Sequence, residues 1–302
     1  MACYSPITGY MAKTPNATGK RSIVFNRSAG FIDKEVQLPC GNCIGCRIDK
    51  SRMWAIRCVH ESKMHKKNCF VTLTYKDEEL PEDMSLNKKH LQDFFKRLRA
   101  NYGPFRYYAS GEYGDNTKRP HYHVLFFGID FSEDRKKFSQ SKNGDTTYKS
   151  ELLSRTWGFG LCDIGSFNYS SAAYVARYIV KKMSGDFADS AYSRYDSRTG
   201  ECFRVAPEFS LMSRNPGIGS TWYDKYKTDV FPSDFLVHKG KKHPVPRYYA
   251  DKLQKEEKPV YENIKLNRKI AQLKEKPNNT PDRLAVRETC KKAQIKQLTR
   301  SL

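Results

Sequence analysis

The chain has 302 residues, enough for one large domain or two ordinary ones with a sizeable core. Its 54 Lys and Arg against 33 Asp and Glu leave a formal charge of +21. That sets aside an acidic small-metabolite enzyme and favours a polyanionic partner, nucleic acid ahead of an anionic membrane. A mean hydropathy of -0.75 and the lack of a long apolar run argue against a membrane span, and the opening MACYSPITGYMAK has no stretch of signal-peptide type.

Residues 1–50 read as an irregular segment with Pro, Gly and a cysteine cluster. The nine cysteines, in a chain with no export signal, are expected as reduced thiols or metal ligands. Cys40-x2-Cys43-x2-Cys46 puts three thiols in one loop. Zn²⁺ could be held by Cys40, Cys43 and Cys46 with Cys58, Cys3 or His60 as the fourth ligand. The other reading is a small-residue loop of reduced thiols. A ferredoxin run begins in the same way, but its C-x3-C-P ending is missing.

Residues 51–185 read as alternating helices and strands. The β-branched and aromatic run 69–75 predicts a strand, ended by Asp77-Glu78-Glu79-Leu80-Pro81. Ser85 is placed to cap a helix over 86–100, with Leu91, Phe94, Phe95 and Leu98 as its apolar stripe. Two strands over 105–112 and 120–127 flank the turn Gly114-Asp115-Asn116, as in a hairpin. A helix over 148–157, a strand over 159–167 and a helix from Ser170 to about Lys182, stopped at Gly185, complete the order β-α-β-β-α-β-α. This implies an α+β fold, a central mostly antiparallel sheet with flanking helices. Residues 186–238, rich in Ser, Arg, Tyr, Gly and Pro, read as a loop-rich extension. Residues 239–302 hold 18 Lys and Arg against 7 Asp and Glu, and read as a basic tail, helical or partly disordered.

Within this frame, His121 and His123 lie two apart in a strand and so project from one face, with Leu125 and Phe127 continuing that face inward. They can share one metal ion, or be two histidines on a polar sheet face. Glu112, ending the neighbouring strand, is the candidate third ligand; its alternative is a surface pairing with Lys118 or Arg119. Two imidazoles and a carboxylate with open positions suit Mg²⁺ or Mn²⁺ better than a closed zinc site. Tyr174 and Tyr178 are four apart and share one face of a helix, where Arg177, Lys181 and Lys182 supply positive charge. A phenol activated by a nearby cation can attack a phosphodiester. The plainer role of the pair is packing, shared with Ala173, Val175, Ile179 and Val180.

The set resembles the HUH-type endonucleases, single-strand nickases that start rolling-circle replication and conjugation. Phe70-Val71-Thr72-Leu73-Thr74-Tyr75 is similar to their first strand motif, His121-Tyr122-His123 to the His-hydrophobic-His motif, and Tyr174-x3-Tyr178 with Lys181 to the two-tyrosine helix of phage initiators. Pro39-Cys40-Gly41-Asn42-Cys43-Ile44-Gly45-Cys46-Arg47, Gly111-Glu112-Tyr113-Gly114 and Met212-Ser213-Arg214-Asn215-Pro216-Gly217-Ile218-Gly219 look more narrowly like the replication initiators of small single-stranded-DNA phages, the gokushovirus group of microviruses. The resemblance implies a divalent ion on His121 and His123, with Glu112 completing the site. It implies Tyr174 and Tyr178 as nucleophiles that form a 5′-phosphotyrosyl link and free a 3′-OH for the host polymerase, with Lys181 near the scissile phosphate. Some relatives use one tyrosine; the trailing Lys181 then favours Tyr178.

The expected partners are single-stranded DNA, a replication origin, and host helicase and DNA polymerase, since no G-x4-G-K-[ST] loop is present. The expected setting is the cytoplasm of a bacterial host. The basic tail and Lys63, Lys66, Lys67, Lys88, Lys89, Lys96, Arg97 and Arg99 are expected along the DNA backbone. The competing readings are a non-enzymatic nucleic-acid binder with a Cys-coordinated zinc module, and a metalloenzyme acting on RNA.

Overall fold

The computed structural model describes residues 3–140, 144–181, 187–195 and 200–297, with backbone alone for 178–181 and 187–189. It divides into two compact units, one built from Met1–Lys50 and Glu257–Leu302, the other Ser51–Glu256.

The chain opens with β1 (Ile7–Ala12), β2 (Ile23–Val24) and β3 (Gly30–Leu38), an antiparallel sheet in the order β2-β1-β3. The segment read as irregular thus holds three strands ahead of its cysteine loop. Their signal is weak because Gly9 interrupts β1 and Asp33-Lys34-Glu35 interrupts the alternation of β3. Helix α1 (Ile44–Ser62) follows the loop.

The larger unit continues with β4 (Asn68–Thr74), α2 (Lys88–Tyr102), β5 (Arg106–Tyr113), β6 (Pro120–Phe127), β7 (Lys136–Gln140), β8 (Thr146–Lys149), α3 (Glu151–Trp157), β9 (Cys162–Ser166) and α4 (Tyr169–Lys181). After these come α5 (Phe187–Tyr192), β10 (Ser193–Tyr195), β11 (Cys202–Arg204), β12 (Phe209–Met212), α6 (Ser220–Tyr226), β13 (Phe235–His238), β14 (Lys241–Pro244) and α7 (Arg247–Glu256). Helices α8 (Lys258–Lys274) and α9 (Pro281–Lys296) belong to the other unit. The main sheet runs β12-β5-β6-β4-β9-β8-β7 with every pairing antiparallel, so the α+β fold stands.

Three local expectations are corrected. Asn87, not Ser85, caps α2: its side chain accepts from the Lys89 and His90 amides, while the Ser85 hydroxyl accepts from the Ala206 amide. The helix placed over 148–157 is strand β8 followed by α3, because Ser150 caps at that point and accepts from the Leu153 amide. Asn168, not Ser170, accepts from the Ser171 amide at the start of α4. The stop at Gly185 lies outside the described residues.

Period-two alternation divides the sheet into two faces. On one face Val71, Tyr122, Val124 and Phe126 pack against Leu91, Phe94, Phe95 and Leu98 of α2 and Leu153 and Trp157 of α3. Tyr192, Val205 and Phe209 join the same core, so the 186–238 stretch supplies both apolar contacts and the edge strand β12. On the other face Tyr108, Leu125 and Phe127 meet Ala172, Val175 and Ala176 of α4 and Ala55 and Cys58 of α1. His121, His123 and Glu112 belong to this second face. Phe126 is fully buried among Phe94, Phe95, Phe105 and Phe131. Phe126→Ala is expected to cost about 3–5 kcal/mol, read by urea unfolding.

The end of α1 is anchored by a buried acid. Glu61 accepts from the Arg106 guanidinium, from the Gly219 amide at 2.6 Å, and lies 3.3 Å from His65 Nε2. Arg106 also donates to the Pro216 carbonyl, and Arg57 to the Ile218 carbonyl. The run from Met212 to Gly219 therefore ties α1 to β5. Gly219 sits at φ +78, where an added Cβ would collide with the Tyr249 hydroxyl. Burial raises the Glu61 carboxyl, but the bonds from His65, Gly219 and Arg106 outweigh it and hold it below its ordinary value.

Beside it, His60 stacks on Trp222 at 3.4 Å and meets the Tyr249 hydroxyl at 2.9 Å. Burial first, then the charges of Lys63 and His238, bring it down to about 3. The unfolded chain binds a proton at His60 near 6.5 and the folded one does not, so stability falls as pH drops below that value. Glu61, ionised in the fold, loses its contribution at lower pH still. The expected result is a loss of about 2–3 kcal/mol between neutrality and about pH 4.5 from His60 alone. Urea titrations across that range check it, and His60→Gln flattens the upper limb.

Candidate active site

The site is set by strand register. In the β5–β6 pairing Glu112 lies directly opposite His121, and Ser110 opposite His123. In the β4–β6 pairing Thr72 lies opposite His123. Glu112 is 2 % exposed and its Oε1 lies 2.7 Å from both His121 Nε2 and His123 Nε2. The surface pairing of Glu112 is therefore not adopted; Arg119 instead donates to Asp77 at 2.5 Å.

The far nitrogen of each imidazole is also held. His121 Nδ1 donates to the Arg119 carbonyl at 3.1 Å, and His123 Nδ1 lies 3.0 Å from the Thr72 hydroxyl. With its Nδ1 proton used in this way, the His121 ring presents the Nε2 lone pair to the carboxylate. A lone pair and a carboxylate oxygen at 2.7 Å repel unless a cation lies between or beside them. The three residues offer ligand atoms within 4.8 Å of one another, and the donor set fits a divalent ion. Burial raises the Glu112 carboxyl, and the bonds to His121 and His123 outweigh it and keep it below its ordinary value.

Tyr174 reaches this centre from α4. Its hydroxyl lies 3.4 Å from Glu112 Oε1 and 3.5 Å from His123 Nε2. Its ring stands edge-on to His123 at 5.0 Å and to Phe70 at 6.2 Å, and Phe70 in turn stacks on His123 at 5.4 Å. The Arg177 guanidinium sits 5.6 Å above the Tyr174 ring. The side chains of Tyr178 and Lys181 lie outside the described residues. Phe70 and Thr72 have no individual role in the sequence reading, although the register of β4 against β6 is the signal that would have found Thr72.

A second cluster collects Cys3, Cys40, Cys43 and Cys46, whose sulfurs also lie within 4.8 Å of one another and could hold a metal ion. Cys58 is not in it. Cys58 is fully buried with Ala55, Tyr108 and Ala172, and burial pushes its thiol up. It is apolar filling on the buried side of α1, one turn from Ala55. His60 is likewise occupied by Trp222 and Tyr249.

Not all of the basic residues expected along DNA are free to serve. Lys89 and Lys96 pair with Asp93, and Arg97 donates to the Thr156 and Trp157 carbonyls at the end of α3. Helix α2, which carries them, covers the sheet face opposite the His pair. Among the described residues no helix is long and apolar enough to cross a membrane.

Most of the main sheet, the His–His–Glu group and the tyrosine helix fall within residues 68–183, and the family model for the ORF2 class of replication-associated proteins matches those residues. The class is thus that of replication-associated proteins. Three curated relatives extend the match. Replication-associated protein VP4 of Bdellovibrio phage phiMH2K is 37% identical over 265 residues, 83% of this chain and 76% of the relative. Replication-associated protein ORF2 of Spiroplasma virus 4 is 34% identical over 235 residues, 72% of this chain and 68% of the relative. Replication-associated protein ORF4 of Chlamydia phage 1 is 29% identical over 229 residues, 72% of this chain and 54% of the relative. No solved structure matches the chain. The chain belongs to the family of replication-associated proteins of small single-stranded-DNA phages.

Proposed function

We propose that the protein nicks single-stranded DNA at a replication origin and transfers the strand through a 5′-phosphotyrosyl intermediate, starting rolling-circle replication of a phage genome in the cytoplasm of its bacterial host. The observation that carries this reading is the convergence of His121, His123 and Glu112 on one point with the Tyr174 hydroxyl 3.4–3.5 Å away.

A Mg²⁺ or Mn²⁺ ion held by His121, His123 and Glu112 would polarise the scissile phosphate and offset the charge that builds on its oxygens. The protein supplies the rest. The phenol oxygen of Tyr174 attacks phosphorus, its proton passing to water. The P–O3′ bond breaks, and the 3′ oxygen leaves and takes up a proton. The 5′ phosphate remains esterified to the tyrosine, so the bond energy is retained and a later 3′-OH can displace the protein without ATP. Phe70, Thr72 and the Arg119 carbonyl keep the imidazoles in one orientation throughout. Tyr178 would take the second transfer and Lys181 a phosphate contact. The freed 3′-OH is the primer for a host polymerase, and unwinding falls to a host helicase.

The test mixes the protein with single-stranded origin DNA and Mn²⁺. The expected result is a protein–DNA adduct that survives SDS, is lost with EDTA, and leaves a free 3′-OH on the other product. Binding without an adduct, with or without metal, rejects the enzymatic reading and leaves the nucleic-acid binder. An adduct formed with RNA in preference to DNA rejects the DNA assignment. Binding itself is expected to weaken steeply with salt, by about 10³-fold or more between roughly 50 and 200 mM if six or more phosphates are contacted, and filter binding across that range measures it.

A further inference from the structure

The cysteine cluster is separate from the nicking chemistry and has its own geometry. Cys3 lies just ahead of β1, Cys40 and Cys43 lie in the loop after β3, and Cys46 lies in the first turn of α1. All four are in the unit formed by Met1–Lys50 and Glu257–Leu302. The Cys43 and Cys3 sulfurs are 3.9 Å apart and the four sulfurs lie within 4.8 Å of one another. That is too far for a disulfide, which needs about 2.05 Å. A single ion with Zn–S bonds of about 2.3 Å in a tetrahedron holds its sulfurs about 3.8 Å apart.

Backbone amides point at the sulfurs. Cys40 N–H donates to Cys3 Sγ at 3.3 Å, Cys43 N–H to Cys40 Sγ at 3.3 Å, and Tyr4 N–H and Cys46 N–H to Cys43 Sγ at 3.3 and 3.5 Å. Three of the four sulfurs are thus acceptors of N–H donors, the environment that favours thiolate over thiol. Four thiolates in so small a space repel one another unless a cation is among them. Soft sulfur donors in a closed set of four, with no position left for substrate, select a structural ion.

We infer that Cys3, Cys40, Cys43 and Cys46 hold one structural Zn²⁺. The ion joins the residue ahead of β1 to the start of α1. It ties Cys3 to a partner 37 positions away, Cys40, and so closes the three-stranded sheet at its open end. Binding releases the thiol protons that remain and contributes directly to the folding of this unit. A multi-iron cluster binds its thiolates on different metal atoms and would spread the sulfurs further than this group allows.

The test measures metal in the full chain expressed in zinc-replete medium. The expected content is about one Zn²⁺ per chain, retained after washing with EDTA under conditions that strip Mn²⁺. Cys43→Ser with Cys46→Ser loses it, whereas Cys202→Ser, an exposed cysteine of the other unit, keeps it, and so does His121→Ala with His123→Ala. Because the double Cys variant can fail to fold, the wild-type chain is also reconstituted with Co²⁺, where the visible bands of a tetrahedral tetrathiolate are expected. Wild-type chain without zinc, zinc retained by the double Cys variant, iron with inorganic sulfide in its place, or a Co²⁺ spectrum without thiolate character each overturns the inference. Loss of DNA nicking with zinc still bound tells against the nicking reading alone.

Discussion

Tyr174→Phe is expected to remove covalent capture of single-stranded DNA, lowering the rate of adduct formation by at least about 1000-fold, the scale of losing a nucleophile. The substitution deletes one oxygen and keeps the ring, so the edge-on contacts with His123 and Phe70 survive and the fold is unaffected. DNA affinity should stay within about threefold, because the phenol contributes one contact among many phosphate contacts. Gel analysis after SDS reads the adduct, and filter binding reads the affinity. Tyr178→Phe made in parallel separates the two tyrosines. If it alone stops adduct formation while Tyr174→Phe reacts at the normal rate, the first attack belongs to Tyr178 and the Tyr174 hydroxyl is a neighbour of the metal group only.

The second large effect concerns the ion. His123→Ala and Glu112→Gln are each expected to weaken Mn²⁺ binding by more than about 100-fold, since each removes a direct ligand from a set of three. Titration calorimetry on the isolated protein measures this without any DNA. Thr72→Val should weaken binding by about 10–100-fold, although Thr72 is not itself a ligand. It keeps the shape of β4 but removes the hydroxyl that orients His123 Nδ1. Unchanged Mn²⁺ affinity in all three variants would dissociate the ion from this cluster. Salt-sensitive DNA binding is expected to persist in each, which separates recognition from chemistry.

Much of this site is legible in the chain because its parts obey local rules. His121 and His123 are two apart in a run whose alternation is unmistakable, so their shared face follows from strand geometry alone. Tyr174 follows from helical spacing and from Asn168 and Ser171 at the helix start. Glu112 needs one further assumption, a tight hairpin, and the pairing of β5 with β6 provides it. Thr72 and Phe70 are harder because β4 comes about 50 residues before its partner, and nothing local says which strands become neighbours. Cys3 is obscured for the same reason: three thiols announce themselves by spacing, the fourth only by the fold of β1 against β3. Cys58 is drawn into that set by type and proximity, yet helix periodicity turns it toward the apolar side of α1. The β7–β8 hairpin is missed because its residues are mostly polar and half-buried or exposed, which removes the contrast that marks a strand.

The antiparallel pairing across the turn at 114–119 has a consequence for how such a chain can vary. Any composition that closes the reversal is acceptable there, but gaining or deleting a single position slides one strand past the other. Gly111 or Tyr113 would then stand across from His121, and the carboxylate would be turned into the layer beneath α2. Length, more than letter, is what descent must preserve in that reversal, while the outlying β7–β8 ribbon at the far edge is at liberty to grow or shrink.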